Sequence, residues 1–229
     1  MAQTMQNGMP GAAAKLRDVR FIGDVMGSYV LANRAQTPGA VQVFACRSRS
    51  VSPHEAVVNA PVSGQPGDAL TMTLQGLGIV RGRISRVLDG GFAVAFECSE
   101  QERAALGARI DWLKRRTLKT VSDRRAHKRV LPRETRASLT LGDGRRFDCF
   151  IIDMSQSGVA LSADTLPPLG SIAAVGAVPG RVVRHIETGF AVQFGQIQQI
   201  DQLEALLTLK TSDQRVLPGA EPSLSPDAG

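Results

Sequence analysis

Two short clusters in the second half of the chain carry residue types that can hold an anion or a nucleobase. The first is Arg124-Arg125-Ala126-His127-Lys128-Arg129 and the second is Asp153-Met154-Ser155-Gln156-Ser157-Gly158, with 23 residues between them. A guanidinium is a planar fork of donors that meets a phosphate, or the O6/N7 edge of a guanine, in bidentate fashion. Such charge-assisted bonds are roughly twice as strong as neutral ones. A carboxylate such as Asp153 accepts from guanine N1–H and N2–H. The Ser155 hydroxyl can bond a phosphate oxygen or fix its own loop, and Gly158 offers backbone freedom and close approach to the main chain. Each cluster alone has an ordinary reading. A run such as RRAHKR is usually a solvated basic patch or a nucleic-acid contact. DMSQSG alone is a strand running into a turn, with Asp and Ser bonding their local backbone.

The surrounding elements must place these side chains. Ala137, Leu139 and Leu141 alternate with polar residues, Gly142-Asp143-Gly144 makes a hairpin turn, and Phe147–Ile152 is the return strand. Gly158–Ala163 follows the second cluster. Residues 165–170 form a loop, because their two prolines exclude a central strand. Further strands are predicted near 171–177, 180–187 and 189–194. The first half repeats the pattern. Gly82–Phe96 aligns with Gly180–Phe194 at eight identical positions of fifteen. Each copy reads as strand, glycine turn and strand, followed by a helix. Ser99 and Glu102 make a capping box before Leu106, Ile110 and Leu113. Ile197, Ile200, Leu203 and Leu207 share one helical face after the second copy. First-half strands are expected near 28–33, 41–49, 55–60, 69–75, 79–88 and 91–97. The 98-residue offset is too long for a solenoid unit and suits duplicated domains. Six short strands and a terminal helix per copy suggest small antiparallel barrels.

RxxxR followed by DxSxxG, in this order, separation and strand pattern, resembles the PilZ domain family, whose members bind the second messenger cyclic di-GMP. The resemblance implies a mostly β chain of two six-stranded antiparallel barrels, each followed by a C-terminal α-helix. It divides the chain into a tail (1–17), a degenerate PilZ-like domain (18–115), a basic linker (116–123), a PilZ domain (124–210) and a second tail (211–229). It assigns ligand contacts to Arg124, Arg125, Arg129, Asp153, Ser155 and Gly158. Some family members place a residue that packs on the guanine at the position of Arg184, although an exposed strand arginine is the commoner outcome. The extra Arg124, giving RRxxxR, accompanies binding of a stacked ligand pair in the family, so two ligands per chain are expected. Family members often hold RxxxR in a stretch that wraps onto the ligand. Here that stretch joins two barrels, so ligand could fix their relative orientation. In the first copy a register setting Ser50 against Asp153, Ser52 against Ser155 and Glu55 against Gly158 removes both the carboxylate and the glycine. No RxxxR precedes its first strand, and Arg34 stands alone. This copy is expected not to bind the nucleotide, and to contact a partner, pack on its twin or only stabilise it.

Composition bounds the alternatives. The net charge is +6, yet residues 114–136 alone carry ten Lys/Arg against two acids, so the basicity is local. That patch lacks the aromatic interleaving that stacks bases, in a chain with one Trp (Trp112) and one Tyr (Tyr29), and Asp153 and Gly158 would be of no use to it. Nucleic acid therefore ranks last among partners, behind cyclic di-GMP and an unidentified downstream protein. A PilZ-like interaction module that has lost its ligand is the second reading. His54, His127 and His185 do not cluster, and no nucleophile–base pair stands out, so neither metal, cofactor nor enzymatic activity is expected. Cys46, Cys98 and Cys149 fit no zinc spacing; Cys46 and Cys149 read as buried thiols, which fits a reducing cytoplasm. No signal peptide and no membrane span are expected.

Overall fold

The computed structural model describes residues 19–34, 40–116 and 130–208. Of the expected linker only Arg116 is among them. The tails and Arg124, Arg125, His127 and Arg129 lie outside.

Two closed antiparallel barrels of six strands each follow one another in the chain. The first is built from β1 (Phe21–Leu31), β2 (Phe44–Val51), β3 (Glu55–Asn59), β4 (Ala69–Leu74), β5 (Gly78–Leu88) and β6 (Gly91–Phe96), with α1 (Glu100–Arg116) after it. The second comprises β7 (Arg136–Leu141), β8 (Arg146–Ser155), β9 (Gly158–Ala163), β10 (Ile172–Val175), β11 (Val178–Ile186) and β12 (Gly189–Phe194), followed by α2 (Ile200–Thr208). Strand order around each barrel is the same, first–second–third–sixth–fifth–fourth. The duplicated two-barrel architecture expected from the sequence is the one observed.

Alternating inward residues fill each barrel, as a small barrel requires. In the first, Tyr29, Phe44 and Phe92 meet at the centre with ring centroids 5.6 and 5.2 Å from Tyr29. The buried phenol donates to the Val62 carbonyl and accepts from the Val62 N–H, and burial holds its pKa well above the usual value. In the second, Leu139, Leu161, Phe190 and Val192 do the same work. The helices close the barrels. Ser99 caps α1 as the box predicts: its N–H donates to a Glu102 carboxylate oxygen at 2.8 Å, and the Glu102 N–H donates to Ser99 Oγ at 3.3 Å. Leu106 and Ile110 then join the first core, and Leu203 and Leu207 the second. The β10–β11 turn runs directly beneath α2. Gly176 has φ +55°, and a Cβ there would lie 2.3 Å from the Leu206 carbonyl oxygen, so only glycine fits.

Three details differ from the sequence reading. β1 starts at Phe21 rather than near 28, because a bulge between Ile22 and Val25, beside Gly23, breaks the alternation that marks a strand. β8 runs on to Ser155 through a bulge of its own. Ile197 does not belong to the apolar face of α2; it precedes the helix and is exposed.

The barrels touch through polar groups. β2 lies against β8 and β9. The Ala45 N–H donates to Ser162 Oγ at 3.0 Å, and Arg34, far from standing alone, grips Asp164 with both terminal nitrogens. Phe150 is buried although it lies between the inward Cys149 and Ile151 on the outward face of its strand.

Cys46 and Cys149 occupy equivalent places, opposite Gly27 and Ala137. Burial pushes the Cys46 thiol up to about 12 and raises Cys149 as well, so neither forms thiolate near neutrality. Cys98 is partly exposed. In the native protein at pH 7–8, iodoacetamide should label Cys98 alone, and Cys46 and Cys149 only after denaturation; peptide mass mapping reads the result.

Candidate functional site

The outer wall of the second barrel presents a row of four residues across four adjacent strands. Arg184 on β11 pairs with Ala191 on β12, Ala191 with Ala160 on β9, and Ala160 with Asp153 on β8. Adjacent strands lie about 4.8 Å apart, so a floor of two methyl groups separates a cation from an anion by about three such steps. Two bulges create the row. Register shifts between Ile151 and Asp153, and again between Val182 and Arg184. Strict alternation would send Asp153 inward after Ile151. The extra residue at 152 turns it out instead, and Met154 returns to the core. Val183 plays the same part for Arg184.

A groove of about 260 Å³ runs over this floor, and Asp153, Ser155, Gly158 and Arg184 all line it, with Ser157 and Gln193 beside them. That volume is under the roughly 300 Å³ at the low end of ordinary ligand pockets. The described residues supply a floor, not an enclosure. Asp153 is half-buried and Arg184 exposed. The chain enters beside Asp153: Val130 exchanges two backbone hydrogen bonds with Met154, at 2.8 and 3.0 Å. Val130 is the residue after Arg129.

Ser155 and Gly158 both shape the turn and strand beside this floor. Ser155 Oγ donates to the Gly158 carbonyl at 3.3 Å and lies 3.4 Å from Ser157 Oγ, closing the two-residue turn between β8 and β9. Of its two expected roles, the structure displays the loop-fixing one. Gly158 has no left-handed φ; backbone freedom is not what it provides. A Cβ there would stand 2.6 Å from the Val192 carbonyl oxygen, so glycine allows β9 to approach β12 closely. The small residues Ala160 and Ala191 and the bulges were not singled out in the sequence; Ala191 lies inside the repeated Gly-Phe-Ala-Val stretch, which was the available signal.

The first barrel carries the same frame. Its bulges fall between Ser48 and Ser50 and between Ile84 and Arg86, and its row reads Arg86, Ala93, Val57, Ser50. Ser52 and Glu55 flank its β2–β3 turn as Ser155 and Gly158 flank theirs, so the expected register holds. The carboxylate is lost at Ser50, and Val57 raises the floor. Arg20 precedes Phe21, which pairs with Val51 as Val130 pairs with Met154, so Arg20 stands at the sequence position of Arg129. It donates to Glu55 at 2.8 Å. Glu55, at the register of Gly158, thus already pairs with this arginine.

A larger cavity, about 1060 Å³, lies elsewhere, between the barrels. Its arginines face Asp24, Asp89, Glu134 and Asp148; Arg136 pairs with Asp89 and lies 3.8 Å from Asp148. Five arginines against four acids leave this cavity close to charge balance. Among the described residues, no group of three His, Cys, Asp or Glu could hold a metal. His54 Nδ1 lies 2.6 Å from an Arg103 nitrogen, and His185 Nε2 is 2.8 Å from the Pro167 carbonyl oxygen. No described helix is long and apolar enough to cross a membrane.

The family model described as "PilZ domain" matches residues 123–209. No curated protein matches the chain. Among solved structures, the chain is similar to MrkH of K. pneumonia in complex with c-di-GMP (12% identity, 80% of this chain and 83% of that one, TM-score 0.26). It is also similar to the Bacillus subtilis inhibitor of motility MotI/DgrA (15%, 80% and 92%, TM-score 0.26). A third likeness is to Borreliella burgdorferi PlzA in complex with c-di-GMP (11%, 80% and 85%, TM-score 0.24).

Since a side chain at 158 meets backbone, Gly158→Ala should destabilise the second barrel by about 1–3 kcal/mol, the usual cost of overpacking. Thermal unfolding of the full chain checks this. A variant as stable as the wild type would show that β9 and β12 can part without cost.

Proposed function

We propose, from the match of residues 123–209 to the PilZ domain model, that the protein is a cyclic di-GMP receptor, acting as a cytoplasmic adaptor rather than an enzyme. The observation that carries the reading is the row on the outer wall, with Asp153 and Arg184 on either side of the Ala160–Ala191 floor. A flat base of methyl groups suits the face of a purine. Asp153 accepts from guanine N1–H and N2–H, and Arg184 stacks or forks on the other side. Arg125 and Arg129, which immediately precede the Val130–Met154 pair in sequence, give bidentate contacts to phosphate or guanine O6/N7. Ser155 and Gly158 keep the turn shaped for this. The first barrel, with Ser50, Val57 and a satisfied Arg20, contributes no second site. Occupancy fixes the segment between the barrels, and so their orientation, for a downstream protein partner in motility, exopolysaccharide or biofilm control.

Calorimetric titration of the full chain with cyclic di-GMP is the direct test. Arg125→Ala, Arg129→Ala and Asp153→Ala should each weaken binding by about tenfold to a hundredfold, the worth of a lost charge-assisted contact of about 1.5–3 kcal/mol. The fold should stay intact, because Asp153 faces outward. Wild-type affinity in folded variants would remove these residues from the site.

Stoichiometry supplies a second test. Two stacked ligands bring four phosphates, and Arg124 adds a third fork to help neutralise them. Two ligands per wild-type chain are expected, and Arg124→Ala should shift the ratio toward one. Hydrogen exchange across 116–129 should slow at saturation. Unchanged exchange there would move the conformational output to another surface.

A further inference from the structure

Two residues beyond Val130, which pairs beside Asp153, the chain is held from both sides. Arg47 of the first barrel donates from Nη1 to the Pro132 carbonyl at 2.5 Å and from Nη2 to the Arg133 carbonyl at 2.9 Å. On the other side, a single Glu204 carboxylate oxygen on α2 accepts the Arg133 N–H at 2.7 Å and the Glu134 N–H at 2.8 Å. Successive peptide groups therefore sit between a cation from one barrel and an anion from the other barrel's helix. Four charge-assisted bonds fix three residues, and the Val130–Met154 pair beside Asp153 lies two residues upstream.

Arg47 is a costly residue to place there. It is 2% exposed, its nearest carboxylate oxygen, on Asp24, is 3.5 Å away, and its Nε is buried without a hydrogen-bond partner among the described residues. A buried arginine of this kind is weak support for stability, and apolar replacements are often neutral. The twin barrel makes the point internally. At the equivalent register, one pair before the bulged segment, β8 carries Phe150, paired with Arg136 as Arg47 is paired with Met26. What an arginine adds, and a phenylalanine cannot, is a fixed position for two carbonyl groups.

We propose that Arg47 and Glu204 are positioning residues for the cyclic di-GMP site: without touching the ligand, they set where the chain meets the groove beside Asp153. The proposal rests on the receptor reading above. It makes the first barrel, itself unable to bind, a determinant of affinity in the second. By linkage, ligand that is favoured by the hold must strengthen it in return.

The test is cyclic di-GMP affinity of the full chain by calorimetry at 25 °C, for Arg47→Met, Glu204→Ala, Glu204→Gln and the double variant Arg47→Met/Glu204→Ala. Each single truncation should weaken binding by about tenfold. Glu204→Gln should stay within about twofold of wild type, since its amide oxygen still accepts both N–H groups. A general loss of stability would not be rescued in this way. The double variant should fall short of the product of the two losses, because both release one segment. Wild-type affinity in folded Arg47→Met or Glu204→Ala overturns the proposal while leaving the receptor reading intact. Equal losses in Glu204→Gln and Glu204→Ala also overturn it. No binding by the wild-type chain overturns the receptor reading and this proposal with it.

Discussion

Closing six strands into a barrel fills the interior with side chains, so whatever such a domain binds must be displayed on its outer wall. The wall of a strand offers every second residue, and a core residue two places from a functional one would forbid that display. The bulges at Ile152 and Val183 resolve this conflict. Each inserts one residue, bends the strand in the sense that closure needs, and turns a charged side chain outward while the next residue resumes the core. Barrel closure and the Asp153–Arg184 row therefore have one common origin, and a change that removed a bulge would disturb both.

The twin barrels separate what their shared frame requires from what distinguishes one copy from the other. Both have the same strand order, the same bulge positions, inward cysteines at the same register and an outward arginine opposite an alanine, Arg86 with Ala93 and Arg184 with Ala191. These belong to the frame. The differences fall on the row and the turn: Ser50 for Asp153, Val57 for Ala160 and Glu55 for Gly158. The last does more than delete a feature. Glu55 places a carboxylate against Arg20, so the first barrel supplies its own anion to that arginine.

Contact between the barrels includes directional bonds as well as buried apolar side chains such as Phe150. Arg34–Asp164, Ala45–Ser162 and the Arg47 fork each demand a definite geometry. Polar contacts of this kind tolerate a change in relative position better than a shared core does.

Local pattern carried a large part of this molecule in the sequence. The repeated Gly-Arg and Gly-Phe-Ala-Val stretches disclosed the duplication, the Ser99–Glu102 spacing disclosed a helix start, and Asp153, Ser155 and Gly158 stood in a recognisable motif, because each depends on neighbours within a few residues. Tertiary structure decided the rest. It set β1 beginning at Phe21, where a bulge hides the alternation, and it gave Gly158 a role in strand approach rather than in conformational freedom. It also decided that Arg20 is satisfied by Glu55, that Arg34 grips Asp164, and that Arg47 and Glu204 hold the same three residues. The partners in those contacts are 35 to 130 residues apart. Nothing in a strand's periodicity specifies what packs on its outer face, so only the folded barrels could bring these groups together.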